Sequence, residues 1–142
     1  MRAETVGDRM QRGVFVCRRD TPADEAAAVM AGRDISALVV VDDDGRTVGV
    51  VSRTDLVDVM GASPDAEPWR GLVVGAIMSE PAVSVRADTP LHEAARLMRD
   101  AGVHRVVVTR AEPGGEKPIG VLSVSDLVRP GEKPRRTSRT RS

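Results

Sequence analysis

Short apolar runs and amphipathic stretches follow one another twice along the 142-residue chain, in the same order each time. Each half begins with a short apolar piece, VFV or AVSV. It continues into TPADEAAAVM or TPLHEAARLM, where apolar residues recur at helical spacing. Two valine-rich runs come next, ALVVV with TVGVVS and RVVVT with IGVLS, and these favour a strand hairpin. A final helix is expected from the serine that ends the second run. The pattern therefore predicts β-α-β-β-α in each half.

The ends of the first helix in each half carry recognisable signals. Thr21 and Thr89 are suited to capping it, and the proline that follows each of them is tolerated at the first helical position. Gly32 and Gly102 are expected to end these helices. The residues predicted to face the core are Ala26, Val29 and Met30 in one half and Ala94, Leu97 and Met98 in the other.

The two halves are an internal repeat. An offset of 68 residues superimposes Met10, Thr21, Met30 and Val39 on Met78, Thr89, Met98 and Val107. Beyond the turn-rich segments DDDGRT and RAEPGGEKP the offset becomes 71. It then superimposes Gly49, Ser52, Asp55 and Leu56 on Gly120, Ser123, Asp126 and Leu127. Because turns accept insertions readily, the change of offset does not disturb the repeat.

Neither half is long enough for much core of its own, so we expect the two to pack about a pseudo-twofold axis. The fold class is α/β (α+β). The predicted organisation is a first repeat at 5–60, a linker at 61–72, a second repeat at 73–128 and a basic, disordered tail at 129–142.

Composition and charge narrow the function. No apolar run is long enough to span a membrane and no signal region begins the chain, so we expect a cytoplasmic protein. Residues 129–142 carry six basic residues against one acidic, and the remainder has a net charge of −5. The single Cys17 excludes an internal disulfide, and the two histidines stand apart without supporting cysteines. No catalytic motif is present, so neither an enzyme nor a metal site is expected.

The strand-to-helix junction G-h-h-S-x-x-D-L, where h is apolar, occurs twice. A helix N-terminus offers unpaired N–H groups to a phosphate, and a carboxylate can accept both hydroxyls of a ribose. The same residues are also typical of a capping box, which would stabilise the helix without any ligand. Both interpretations stay open at this point.

These paired junctions, with the two Thr-Pro-x-x-Glu-Ala segments, resemble the CBS-domain family in its tandem arrangement, the Bateman module. The resemblance covers roughly residues 5–128. One departure is valine at Val39 and Val107, where the family often has proline.

The resemblance implies a cleft between the repeats that binds an adenosine-containing ligand: AMP, ADP, ATP, S-adenosylmethionine or a dinucleotide. By position, Asp55 and Asp126 are ribose candidates, and Ser52 and Ser123 are phosphate-side candidates with Thr54 and Ser125 nearby. His104 and Arg105 are expected to reach phosphate and to share a site with Asp55, to which Arg53 would add positive charge. The apolar candidates near the adenine are Val14, Val16, Ala82, Val83, Ile35 and Val103.

Three functions follow as hypotheses. The first is a stand-alone regulatory module that binds such a ligand and signals to an unknown partner protein, with no required cofactor. The second is a ligand-free dimerisation or partner-docking module. A homodimer is expected in either case, through the apolar faces of the SRTDLVDVM and SVSDLV helices. The third, weak nucleic-acid association through the basic tail, is less favoured because the tail has no aromatic residues for base stacking.

Ser36 and Ala37 stand where the second repeat has His104 and Arg105, so the two sites are expected to differ. We predict that Asp55→Ala weakens nucleotide binding more than Asp126→Ala does, as measured by calorimetric titration. Equal losses would count against a single phosphate-competent site.

Overall fold

The structure is a computed structural model that describes residues 3–130, so the tail predicted at 129–142 lies outside it except for its first two residues. The elements of the first half are α1 (Val6–Arg9), β1 (Gln11–Arg12), β2 (Val16–Cys17), α2 (Ala23–Arg33), β3 (Ala37–Val41), β4 (Thr47–Ser52) and α3 (Arg53–Ala62). Those of the second half are a 3-10 turn (Val74–Ala76), β5 (Ser84–Arg86), α4 (Leu91–Ala101), β6 (Arg105–Glu112), β7 (Gly115–Ser123) and α5 (Val124–Val128).

Two sheets hold these elements. The first has the order β2-β3-β4 and the second the order β1-β7-β6-β5. In each, a short parallel strand pairs with the first strand of an antiparallel hairpin, β2 with β3 and β5 with β6. The predicted β-α-β-β-α repeat and the mixed fold class are confirmed. The linker predicted at 61–72 is shorter, because α3 continues to Ala62.

The segment that begins each repeat lies on the sheet of the other repeat. Gln11 of β1 pairs with Val121 of β7, and Ser79 forms a bridge to Val50 of β4. Each crossing has matching backbone hydrogen bonds: the N–H of Val6 donates to the carbonyl of Thr89, and the N–H of Val74 to that of Thr21, both at 2.8 Å. The repeats of the sequence are therefore not the packing units of the fold.

This crossing explains the glycine of the repeated junction. A Cβ at Gly49 would lie 2.6 Å from the carbonyl oxygen of Ser79, and one at Gly120 would lie 2.5 Å from that of Gln11. Both distances are far inside van der Waals contact, and the obstacle is backbone. Only glycine leaves room for the crossing segment.

Successive side chains of a strand point to opposite faces of the sheet, so the valines of β3 lie in two different apolar clusters. Leu38 and Val40 of β3 belong to the core beneath α2 and α3. Val39 and Val41 point the other way and form a third cluster with Val107 of β6. Val39 and Val107 are 2% and 0% exposed. The positions where the family often has proline are thus the buried contact between the two sheets.

Two predicted helix signals are wrong. The N-caps are Pro22 and Pro90, because the hydroxyls of Thr21 and Thr89 instead accept the backbone N–H of Arg18 and of Arg86 in the preceding turns. Gly102 does end α4 with φ of 67°, as predicted. Gly32, however, lies inside α2, and the left-handed residue there is Asp34, with φ of 52°.

The core-facing positions of these helices follow the predicted spacing. Ala26, Met30, Ala94 and Met98 are buried and Val29 is half-buried, but the prediction is wrong for Leu97, which is exposed. Over residues 3–130, no helix is both long enough and apolar enough to cross a membrane.

The crossing over Gly120 gives a prediction about stability. Gly120→Ala should lower the free energy of unfolding by about 1–3 kcal/mol, because the new methyl group overpacks against backbone. Gly32→Ala is the matched control. It should raise stability by about 0.5 kcal/mol, since Gly32 is helical and nothing lies within 4 Å of a Cβ placed there. Chemical denaturation measures both, and a Gly120→Ala protein as stable as the parent would contradict the crossing.

Candidate functional site

Two clefts lie between the repeats, related by the pseudo-twofold axis. The Asp55 cleft has a volume of about 220 Å³, and its polar lining residues are Ser52, Thr54, Asp55, Ser79, His104 and Arg105. The Asp126 cleft has a volume of about 560 Å³, and its polar lining residues include Gln11, Arg12, Asp34, Ser36, Arg53, Arg105, Ser123 and Asp126. Each cleft takes residues from both repeats.

Strand register places the junction residues at the rims of the clefts. Ser52, the last residue of β4, pairs with Ala37, and Ser123, the last of β7, pairs with Arg105. The next residue in each case begins a helix, α3 or α5. In both repeats, therefore, the first residue of the junction helix lies beside the first residue of the paired strand, β3 or β6.

Both junctions form the capping box that the sequence predicted as an alternative. The Oγ of Ser52 accepts the N–H of Asp55 at 3.3 Å, and Asp55 Oδ2 accepts the N–H of Ser52 at 2.7 Å. Ser123 and Asp126 make the same pair of hydrogen bonds, at 3.4 and 2.8 Å. Capping and ligand binding are compatible, because the cap uses one carboxylate oxygen and leaves the other.

The second carboxylate oxygen distinguishes the two junctions. Within residues 3–130, Oδ1 of Asp55 accepts no hydrogen bond. Oδ1 of Asp126 accepts one from Nε2 of Gln11 at 2.8 Å and one from Nη1 of Arg129 at 3.4 Å. Asp126 is only 4% exposed, so its carboxylate is both saturated and enclosed. Asp55 alone presents an unused acceptor to its cleft.

Sequence reasoning missed Gln11. The repeat offset of 68 aligns it with Ser79, whose side chain is shorter. The substitution of Gln11 for serine is present in the alignment of the repeats. Its consequence depends on the pairing of β1 with β7, which brings Gln11 beside Asp126.

His104, Arg105 and Asp55 line the same cleft, which is the grouping that the family resemblance implies. Nη1 of Arg105 donates to Oγ of Ser36 at 2.9 Å, across the boundary between the repeats. Burial lowers the pKa of Arg105, and the Asp55 carboxylate opposes that shift. A half-buried guanidinium in this setting is a strong partner for a phosphate or carboxylate.

Arg53 and Ser125 lie elsewhere than predicted. The backbone N–H of Arg53 donates to the carbonyl of Ser36, which keeps Arg53 beside its own repeat, in the Asp126 cleft. Its guanidinium forms an ion pair with Asp34 at 3.1 Å. Ser125 is exposed on α5 and lines neither cleft, whereas Thr54 lines the Asp55 cleft.

The apolar candidates divide between the clefts. Ala82, Val83 and Val103 line the Asp55 cleft, and Val14 and Ile35 line the Asp126 cleft. Val16 is 52% exposed and lines neither. Phe15, which sequence reasoning passed over, lines the Asp126 cleft, and the Arg33 guanidinium lies 4.9 Å from its ring centroid.

No group of three or more His, Cys, Asp or Glu residues between positions 3 and 130 is arranged to hold an ion.

Residues 6–62 and 74–131 each match the CBS domain family, so the chain belongs to that family. The chloroplastic CBS domain-containing protein CBSX2 of Arabidopsis thaliana is 31% identical over 88% of this chain and 62% of its own length. An uncharacterized protein of Methanopyrus kandleri is 29% identical over 90% of this chain and 63% of its own. The chain therefore spans somewhat less than two thirds of the length of these relatives.

Solved structures show the same fold. CBSX2 crystallised in complex with AMP superimposes with a TM-score of 0.73 at 31% identity, covering 88% of this chain and 94% of that one. An uncharacterized conserved protein from Pyrococcus horikoshii superimposes with a TM-score of 0.72 at 25% identity, covering 93% and 98%. The tandem CBS arrangement expected from the repeated junctions is confirmed.

Proposed function

We propose that this chain is a regulatory CBS pair that binds an adenosine-containing ligand of the AMP, ADP or ATP class in the Asp55 cleft. The observation that carries the proposal is the composition of that cleft. A carboxylate with an unused oxygen, a half-buried guanidinium and an apolar wall lie together, and they come from both repeats. The crystal structure of CBSX2 with AMP, at 31% identity, supports the same ligand class.

Each part of such a ligand has a partner of suitable chemistry. Oδ1 of Asp55 is free to accept hydrogen bonds from a ribose diol. Arg105 and His104 supply N–H donors for a phosphate, and the N-terminus of α3 adds the positive end of its helix dipole. Val83 and Val103 provide an apolar surface for the adenine. S-adenosylmethionine remains a further candidate, because it shares the adenosine moiety.

Binding across two repeats is suited to sensing, because one ligand contacts both repeats. Asp55 belongs to α3, whereas His104 and Arg105 belong to the start of β6. A ligand that contacts both favours the arrangement of the repeats that it fits best, which shifts the population of conformations. We propose that a partner protein reads this arrangement.

Self-association is a second candidate function, because apolar side chains remain exposed on the two junction helices. Val57 and Met60 on α3 are 59% and 49% exposed, and Val128 on α5 is 75% exposed. Apolar residues at these positions favour burial against a second copy of the chain. A homodimer through these helices would be compatible with an occupied Asp55 cleft.

Calorimetric titration tests the ligand. The chain should bind one of AMP, ADP, ATP, S-adenosylmethionine or NADH with micromolar affinity. Asp55→Asn should weaken that binding about tenfold or more, because the amide can still cap α3 but the charged acceptor is lost. Asp58→Asn, an exposed position on the same helix, is the matched control and should bind as the parent does.

Flat traces for every ligand would contradict a nucleotide sensor. They would move the assignment to a self-association module. Sedimentation of the parent against a Val57→Asp variant would then show whether α3 forms the contact.

A further inference from the structure

Of the residues that line the two clefts, Arg105 is the one that lines both. It lies at the start of β6, half-buried, and its guanidinium donates to Ser36 on the Asp126 side. The Asp55 carboxylate on the other side acts on its charge. Arg105 therefore stands at the boundary between the clefts and faces polar groups of each.

The symmetry-related position cannot do the same. The repeat offset of 68 aligns Arg105 with Ala37, which occupies the equivalent place at the start of β3 opposite Ser52. Alanine has no group to offer a phosphate. The two clefts thus have one half-buried guanidinium between them where full symmetry would provide two.

Other cations of the Asp126 cleft do not replace it. Arg53 is exposed and paired with Asp34. Arg12 is exposed and donates to the carbonyl of Gly7 at 3.3 Å. Exposed charges are screened by water and salt, so a phosphate gains less from them than from a half-buried guanidinium.

We propose that Arg105 serves both clefts in turn, so that a phosphate-bearing nucleoside in one cleft withdraws the guanidinium from the other. This inference rests on the proposed function and adds that ligand in one cleft weakens the binding of ligand in the other. The first ligand binds with Arg105, and the second binds without it. Losing Arg105 should weaken the second event by about ten- to hundredfold, the usual worth of a hydrogen-bonded contact to a charged group, and the saturated Asp126 can only widen the gap.

The test is to close one cleft and measure the other with AMP as the probe. Ser79 is exposed and lines the Asp55 cleft, and within residues 3–130 its side chain makes no hydrogen bond, so Ser79→Trp is chosen to fill that cleft while keeping the backbone hydrogen bonds to Val50. Ser79→Ala is the matched control with the cleft open. Thr54→Trp, on the same rim, is the second occluding variant if Ser79→Trp fails to fold or leaves both binding events.

Calorimetry on the full chain should show two AMP events in the parent and in Ser79→Ala, the second weaker by at least the ten- to hundredfold that Arg105 contributes. The occluded variant should show a single event, stronger than the parent's second event by that same factor, because Arg105 is now available to the Asp126 cleft. Adding Arg105→Gln to the occluded variant should return the affinity to that of the parent's second event.

Three results would overturn the sharing of Arg105. These are two equal events in the parent, a single parental event with the other cleft empty at millimolar AMP, or an occluded variant whose remaining event matches the parent's second. In each of them AMP still binds, so the proposed function survives. If AMP gives no event in the parent, the same comparison is made with whichever of ADP, ATP or S-adenosylmethionine binds. Absence of an event with all four ligands would instead be a failure of the proposed function itself.

Discussion

The close approach of backbone to Gly49 and Gly120 is the constraint on which the rest of the structure depends. At each glycine, the segment that begins one repeat crosses the sheet of the other, near enough that a single Cβ would collide with a carbonyl oxygen. The crossings bring Val6 and Met10 into the second core and Val74 into the first. Each core is thus completed by the other repeat. Together with the contact of Val39 and Val107, this joins two halves that would each be marginal alone.

The same arrangement makes each cleft a composite. The helix start comes from one repeat, and the facing strand start comes from the other. A single residue that differs between the repeats therefore changes the chemistry of one cleft and not of the other. Gln11 reaches Asp126, whereas its counterpart Ser79 makes no hydrogen bond to Asp55. Arg105 reaches across the boundary, whereas its counterpart is Ala37. A pseudo-symmetric scaffold thereby carries two chemically unequal clefts.

Local signals in the sequence were sufficient for the repeat and for the β-α-β-β-α elements of each half, but not for α1, β1 or the 3-10 turn. The valine-rich run ALVVV predicts a strand of a hairpin, and the serine of each junction predicts the start of a helix. The grouping of Asp55 with His104 and Arg105 came from the family resemblance together with the broken symmetry of the repeat. The structure places them in one cleft. Their role in binding stays a prediction.

The features that could not be predicted depend on contacts between distant parts of the chain, or on a second hydrogen-bond partner that competes with the expected one. Thr21 and Thr89 have the chemistry of helix caps, but their hydroxyls accept from the turns that precede them. Gly32 has the chemistry of a helix end, but α2 runs past it to Asp34. Arg53 is adjacent in sequence to Ser52 yet lines the opposite cleft, because its backbone bonds to Ser36. The saturation of Asp126 by Gln11 and Arg129 required the crossing of β1, which no local pattern records.

The most direct measurement of the central claim is a crystal structure of this chain grown with AMP. We expect AMP in the Asp55 cleft, with a ribose hydroxyl within about 3.2 Å of Oδ1 of Asp55 and the phosphate on Arg105. Density in the Asp126 cleft alone, or AMP bound without contact to Asp55, would contradict the account.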